Sequence, residues 1–312
     1  MPSDSRIQIT PATCGGPPPE DRPATAREDR SDLQSPRLRA KLARRLAQAL
    51  APALSAILDR PASPPTSPLA TSLAQVSAGC TGGNDFAGAL EPAVQEFQEL
   101  YDRRPLTTNK GGMQFNDSLC LYLVARILAP TFVLESGSFQ GHSAWLLRQA
   151  LPDADILSCD IDHGQLRHRA EGVTFHEGDW VGASLPEIDP LRSLAWFDDH
   201  TDHCRRLAEA QARGFRHVLL DDNFPAENLY ATGGPPVPTL AMALDPELAD
   251  GEELVWRRRG KVYRYRFETK DTLDVATRIE KFVVLPDVTA ITRYNPPSGM
   301  TYVRLKPPVP PT

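Results

Sequence analysis

Apolar and polar positions recur along this chain in two periods, and the change from one to the other marks out its elements. From residue 89 on, "LEPAVQEFQELYDRRP" sets Leu90, Val94, Phe97, Leu100 and Tyr101 at helical spacing and predicts an amphipathic helix. Beyond the loop "NKGGMQFN", "DSLCLYLVARILAP" predicts a second helix, capped by Asp117 and ended by Pro130. Short apolar runs follow: "TFVLE", "DILSCDID", "VTFHEGD", "SLAWFDD" and "FRHVLLDDN" predict strands. Between them "GHSAWLLRQAL" and "TDHCRRLAEAQARG" predict helices, the latter closing on Gly214. Such spacing predicts right-handed crossovers and a Rossmann-like α/β fold, a doubly wound, mostly parallel sheet covered on both faces. After Asn223 the pattern loosens. "FPAENLYATGGPPVPTL" reads as a long lid-like loop and "LVWRRRGKVYRYRF" as a hairpin. "DTLDVATRIEKFVV" reads as a helix, and "AITRYNPPSGMTYVRL" as a C-terminal antiparallel hairpin turning at Pro296 to Gly299.

Composition sets the first 88 residues apart. No aromatic residue precedes Phe86, and proline, alanine and serine dominate. Residues 1–85 therefore lack the bulky apolar groups that offset ordering entropy, and 1–88 reads as a largely disordered tail ahead of one domain at 89–306. Within the tail, "PRLRAKLARRLAQALAPALSAILDR", residues 36–60, repeats leucine every four positions from Leu38 to Leu58. That predicts a basic amphipathic helix interrupted at Pro52, which suits an anionic membrane surface or a partner, or a place on the protein's own domain.

A net charge of −6 and a pI near 5.7 argue against nucleic-acid binding, which needs a basic footprint. Five cysteines form no CxxC pair, which points to a reducing compartment. No run approaches the roughly 20 apolar residues of a membrane span, and "MPSDSRIQIT" lacks the layout of a targeting peptide. The expectation is a cytoplasmic protein with no transmembrane segment; its oligomeric state, a homo-oligomer included, is open.

The chemistry concentrates where the first predicted strand ends. "VLESGSFQGHS" stops at Glu135 and turns through Gly137 and Gly141. A loop that cradles pyrophosphate carries G-x-G-x-x-G and leaves the next helix N-terminus free for the anion; this one carries G-x-x-x-G after an acid and fits a ligand that brings no phosphate there. "LESGSFQGHSA" resembles the first motif of the class I S-adenosylmethionine-dependent methyltransferases, in the E-x-G-x-x-x-G-x-S form of the catechol and caffeoyl-CoA O-methyltransferase branch. The resemblance covers about residues 105–225. It implies that Glu135, Gly137, Ser138, Gly141 and Ser143 line the S-adenosylmethionine site and that Asp160 accepts both ribose hydroxyls. It also implies that Asp179 and Trp180 of "FHEGDW" lie against the adenine. "NKGGMQFN" corresponds to a segment that lines the acceptor pocket in several small-molecule O-methyltransferases and in the similar macrocin O-methyltransferase and cephalosporin hydroxylase group.

The resemblance further implies a Mg2+ ion held by Asp199, Asp222 and Asn223, hard oxygen ligands that leave sites for water and an acceptor hydroxyl. Read without it, Asp199, Thr201 and Asp202 are caps of the following helix. The sequence departs from the branch at Asp202, where a lysine base is expected; His200 and His203 are the nearby groups suited to proton abstraction. The implied activity is O-methylation of a small-molecule acceptor. Alternatives are a binding protein of the same fold without turnover, and another nucleotide-binding enzyme on a similar sheet. The cations of "RRRGKVYRYR" suit either an acidic substrate or a solvated hairpin face.

Overall fold

The computed structural model describes residues 7–11, 68–78, 90–231, 234–258, 260–272 and 274–307. The helix expected at 36–60 lies outside the described residues. The strands are β1 (Ile7–Pro11), β2 (Phe132–Ser136), β3 (Asp155–Asp160), β4 (Val173–Glu177), β5 (Ser193–Phe197), β6 (His217–Leu220), β7 (Glu253–Arg258), β8 (Lys261–Arg266), β9 (Ile279–Val284) and β10 (Thr301–Leu305). The longer helices are α1 (Pro68–Ser77), α2 (Leu90–Asp102), α3 (Phe115–Leu128), α4 (His142–Ala150) and α5 (His203–Ala212).

Seven strands form the main sheet in the order β4-β3-β2-β5-β6-β10-β9. The first five are parallel, while β10 runs antiparallel to both β6 and β9. The fold is the expected α/β sheet with a C-terminal antiparallel pair. Its two apolar faces follow from the period of two: Val133 faces one core and Leu134 the other, and Trp196 and Phe197, Leu219 and Leu220, and Tyr302 and Val303 divide in the same way. α3 and α4 cover the first face and α5 the second. Because β2 pairs with both β3 and β5, the chain winds outward from β2 in both directions, and the crevice for a ligand opens at the carboxyl ends of β2 and β5.

Several expectations are corrected here. Asp117 is not the cap of α3; Gln114 is, and the Asp117 carboxylate sits one turn in and accepts the Gln114 N–H at 3.3 Å. The stretch "RIEKFVV" is not helical: only Val275–Arg278 forms a short helix before β9, whose β-branched and aromatic side chains suit pairing with β10. The terminal hairpin is thus β9 with β10, and the segment before β10 holds a four-residue helix at Thr289–Thr292. Hairpin β7–β8 forms as expected, and β1 adds to it as a third strand.

The folded part also begins ahead of residue 89. α1 buries Leu69, Leu73 and Val76 at spacings of four and three, in the same core as Phe97 and Tyr122, and the Lys281 ammonium donates to the Gln75 carbonyl at 2.9 Å. A small apolar stripe suffices because α3 and β9 supply the rest of the surface. Leu73→Ala is expected to lower unfolding free energy by about 2 kcal/mol, read by urea denaturation. No loss would place α1 outside the cooperative unit.

Candidate functional site

The loop after β2 is held from beneath by buried polar groups. Ser158 of β3 donates to Glu135 Oε2, and the Ser138 and Ser158 hydroxyls are 2.5 Å apart. Glu135, Ser138, Ser143 and Ser158 are all buried. Burial pushes the Glu135 carboxyl up to about 7, with the Ser143 and Ser158 hydroxyls pulling the other way. Glu135 and these serines therefore set the loop from within and, as packed here, present almost no surface to a ligand. Gly137 has φ +109, and a Cβ there would meet the Asp198 carbonyl oxygen at 2.3 Å, so no other residue fits this turn. Gly141, at φ +89, has the same constraint against the His168 carbonyl.

Asp160 sits beside this loop, partly exposed, and accepts the Phe139 N–H at 2.8 Å. The acid at the end of β3 is thereby tied to the glycine loop. Asp179, also partly exposed, follows β4 and accepts the Val181 N–H at 3.2 Å. Trp180 does not offer the adenine face expected of it. Its ring is fully buried, 5.7 Å from Phe197 and 6.3 Å from Phe215, and belongs to the core.

On the other side of the crevice, the segments after β5 and β6 meet. His200 and Asp222 both hold left-handed backbone conformations, φ +54 and φ +51, which are uncommon for such residues and collect at functional sites. Their side chains face each other, His200 Nδ1 to Asp222 Oδ2, at 3.5 Å. They line a small hollow with Asp198, Asp221 and Pro236. Burial and then the neighbouring carboxylates, Asp222 and Asp117 among them, raise Asp198 well above the usual carboxylate range; Asp221 rises for the same reasons. Asp117 is pushed up to about 6 by burial, with hydrogen bonds from Gln114 and Ser298 opposing.

His203 has a different role from the one its position suggests. It is buried and its Nδ1 accepts the Leu240 N–H at 3.1 Å, so the ring packs against the chain instead of facing the crevice; burial also lowers it to about 4. Asp202 caps α5 by accepting the Arg205 N–H at 3.0 Å.

The three acceptor-side residues expected to hold Mg2+ are not presented as a ligand set. Asp199 Oδ2 accepts from Ser136 at 2.6 Å and pairs with Arg206 at 2.7 Å, while its Oδ1 accepts the Thr201 N–H at 3.0 Å. Asn223 spans a structural gap, donating to Thr301 Oγ1 at 2.8 Å and accepting the Ala241 N–H at 2.8 Å. Asp222 is left facing His200. Among the described residues no group of three or more His, Cys, Asp or Glu side chains is disposed to hold a metal ion. With Asp199 paired to Arg206 and the Asn223 amide engaged at both ends, these residues do not fit the ion.

Arg206 is the site residue that sequence patterns missed. Its guanidinium, only 4% exposed, reaches Asp199, Asp179 at 3.1 Å and Glu209 at 2.7 Å, and donates to Thr201 Oγ1 at 3.3 Å. Burial works against its charge, and the carboxylates more than offset this, so it is held above its ordinary value. In sequence it reads only as one more cation on a polar helix face.

The sheet, with its crevice and the glycine turn after β2, defines a Rossmann-like α/β domain. No family model matches the chain, and no curated protein matches it. Among solved structures it is similar to the O-methyltransferase TomG from Streptomyces achromogenes, involved in tomaymycin synthesis and solved with S-adenosylmethionine; identity is 15% over 75% of this chain and 89% of that one, with a TM-score of 0.39. The S-adenosylhomocysteine-bound methyltransferase PaMTH1 from Podospora anserina is 16% identical over 67% of this chain and 99% of that one, TM-score 0.31. A methyltransferase from Geobacter sulfurreducens is 17% identical over 56% and 90%, TM-score 0.32. Scores this low leave the functional assignment to the residues themselves. Among the described residues no helix is long and apolar enough to cross a membrane.

Proposed function

We propose that the chain is an S-adenosylmethionine-dependent O-methyltransferase acting on a hydroxyl of a small-molecule acceptor. The observation that carries this reading is that the Gly137 turn, tied to Asp160 through the Phe139 N–H, lies against the Asp198–Asp199 backbone that leads into the His200–Asp222 pair. Asp160 offers two acceptor oxygens for a ribose diol, and the acids around it disfavour a phosphate. Bound there, S-adenosylmethionine supplies an electrophilic methyl group. His200, 53% exposed, takes the proton of the acceptor hydroxyl, and Asp222 orients the imidazole and balances the charge that forms. The C–S bond breaks as the C–O bond forms, and the proton stays on the imidazole until solvent removes it. No step is assigned to magnesium, because Asp199 and Asn223 are committed elsewhere.

Calorimetric titration with S-adenosylhomocysteine tests the cofactor half. Binding by the wild type, weakened about 30-fold in Asp160→Ala by the loss of two hydrogen bonds to a carboxylate, supports the reading. No binding to the wild type overturns it. A chain that binds but transfers no methyl group to any of a panel of phenols, catechols and sugar hydroxyls is instead a binding protein, for which Asp202 in place of a lysine base already speaks.

A further inference from the structure

We infer that Arg206 is a positioning residue that holds Asp179, on the cofactor side of the crevice, and Asp199, on the acceptor side, in one fixed arrangement. The inference rests on the methyltransferase reading for what occupies the crevice, but its geometry stands alone. Arg206 leaves α5 one turn from its start and inserts its guanidinium between the segments that follow β4 and β5. Nη1 donates to Asp179 Oδ1 at 3.1 Å and to Glu209 Oε2 at 2.7 Å. Nε donates to Asp199 Oδ2 at 2.9 Å and Nη2 to Thr201 Oγ1 at 3.3 Å. Below it lie the rings of Trp180 and Phe197, with centroids 6.0 and 5.9 Å from the guanidinium carbon. A planar fork with donors in several directions is required here, and a lysine ammonium cannot span the same partners.

Two consequences follow from this hub. The Asp179 side chain is aimed by Arg206 before any ligand arrives, since its only other polar contacts among the described residues are the Val181 N–H and Arg205, the latter at 3.4 Å. Asp199 becomes a counter-ion, which explains why it stands out of a cation-binding set. The ionisable groups packed around the guanidinium are Asp179, Asp199, Glu209 and Arg205, with the Cys159 thiol nearby, itself pushed up to about 12 by burial. Removing the one cation shared by all three carboxylates leaves them repelling one another, with Arg205 reaching only Asp179 and Glu209.

The test is the affinity for S-adenosylhomocysteine, measured by calorimetry from pH 5.5 to 8.5 in the wild type, Arg206→Lys and Arg206→Gln, with thermal melts of each. Arg206→Gln is expected to bind at least 10-fold more weakly across this range. Arg206→Lys keeps the charge and loses the fork; a 3- to 10-fold loss is expected. A purely structural role predicts lowered melting temperatures with wild-type affinity in whichever variant folds, and that result overturns the inference. Should Arg206→Gln fail to fold, Arg206→Lys decides the matter by its affinity. A wild type that binds nothing fails the methyltransferase reading instead, and the two failures are distinct.

Discussion

Replacing His200 with alanine is expected to slow methyl transfer about 100-fold or more while leaving affinity for S-adenosylhomocysteine within twofold. The size comes from the ordinary contribution of a positioned general base. The separation of effects comes from place: His200 lies after β5 beside Asp222, whereas the glycine turn and Asp160 lie after β2 and β3. Asp222→Asn should cost less than the loss of the imidazole, because it removes the partner that orients the ring and leaves the base itself. Rate measurements with an acceptor taken from the hydroxyl panel check both. A His200→Ala enzyme with the wild-type rate would exclude His200 as the base, and since His203 is buried with Nδ1 already accepting from Leu240, no second histidine would replace it.

The parallel sheet was legible because its strands are short apolar runs whose alternate residues feed two cores, and because glycines and acids punctuate their carboxyl ends. Gly137 and Gly141 were legible because the turn after β2 holds both at positive φ against a neighbouring carbonyl, whereas Asp160 was picked out only by the family resemblance. What escaped was decided by partners distant in sequence. α1 has three modest apolar side chains in a proline- and alanine-rich stretch, and only the surface offered by α3 and β9 makes them a core. β9 follows a helical-looking "DVATR", and its strand state depends on pairing with β10. Asp199 matched a ligand position by register, but seven residues later Arg206 turns back from α5 and claims it. Trp180 was expected at a ligand face, yet Phe197 and Phe215 from two other segments close over it.

Glu135→Gln is expected to stabilise the protein without ligand by on the order of 3 kcal/mol above pH 7 and to change it little near pH 4. Glu135 is fully buried and its carboxyl is pushed up to about 7, against an ordinary value of 4.5. Between those values the folded chain holds a proton that the unfolded chain has lost, so raising pH through this window lowers stability, and above about 7 the full cost of a buried charge is present. Glutamine reproduces the protonated form: its carbonyl accepts from Ser158, as Glu135 Oε2 does, and its amide can donate to the Ser143 hydroxyl on the other side. Urea denaturation of both proteins at pH 4, 6 and 8 reads the difference directly. A pH-independent loss of stability in the variant would show that Glu135 is kept for its hydrogen bond and not at the expense of stability. The predicted gain carries a functional consequence. A buried acid poised near neutrality is ionised most easily when a cation arrives, and S-adenosylmethionine carries a sulfonium where its demethylated product is uncharged. The variant should therefore lose affinity for S-adenosylmethionine more than for S-adenosylhomocysteine, and the wild type should release protons on binding the former at pH values up to about 7 and not at pH 8.5, seen as a buffer-dependent heat. Equal affinity changes for the two ligands would separate the charge of Glu135 from the charge of the cofactor.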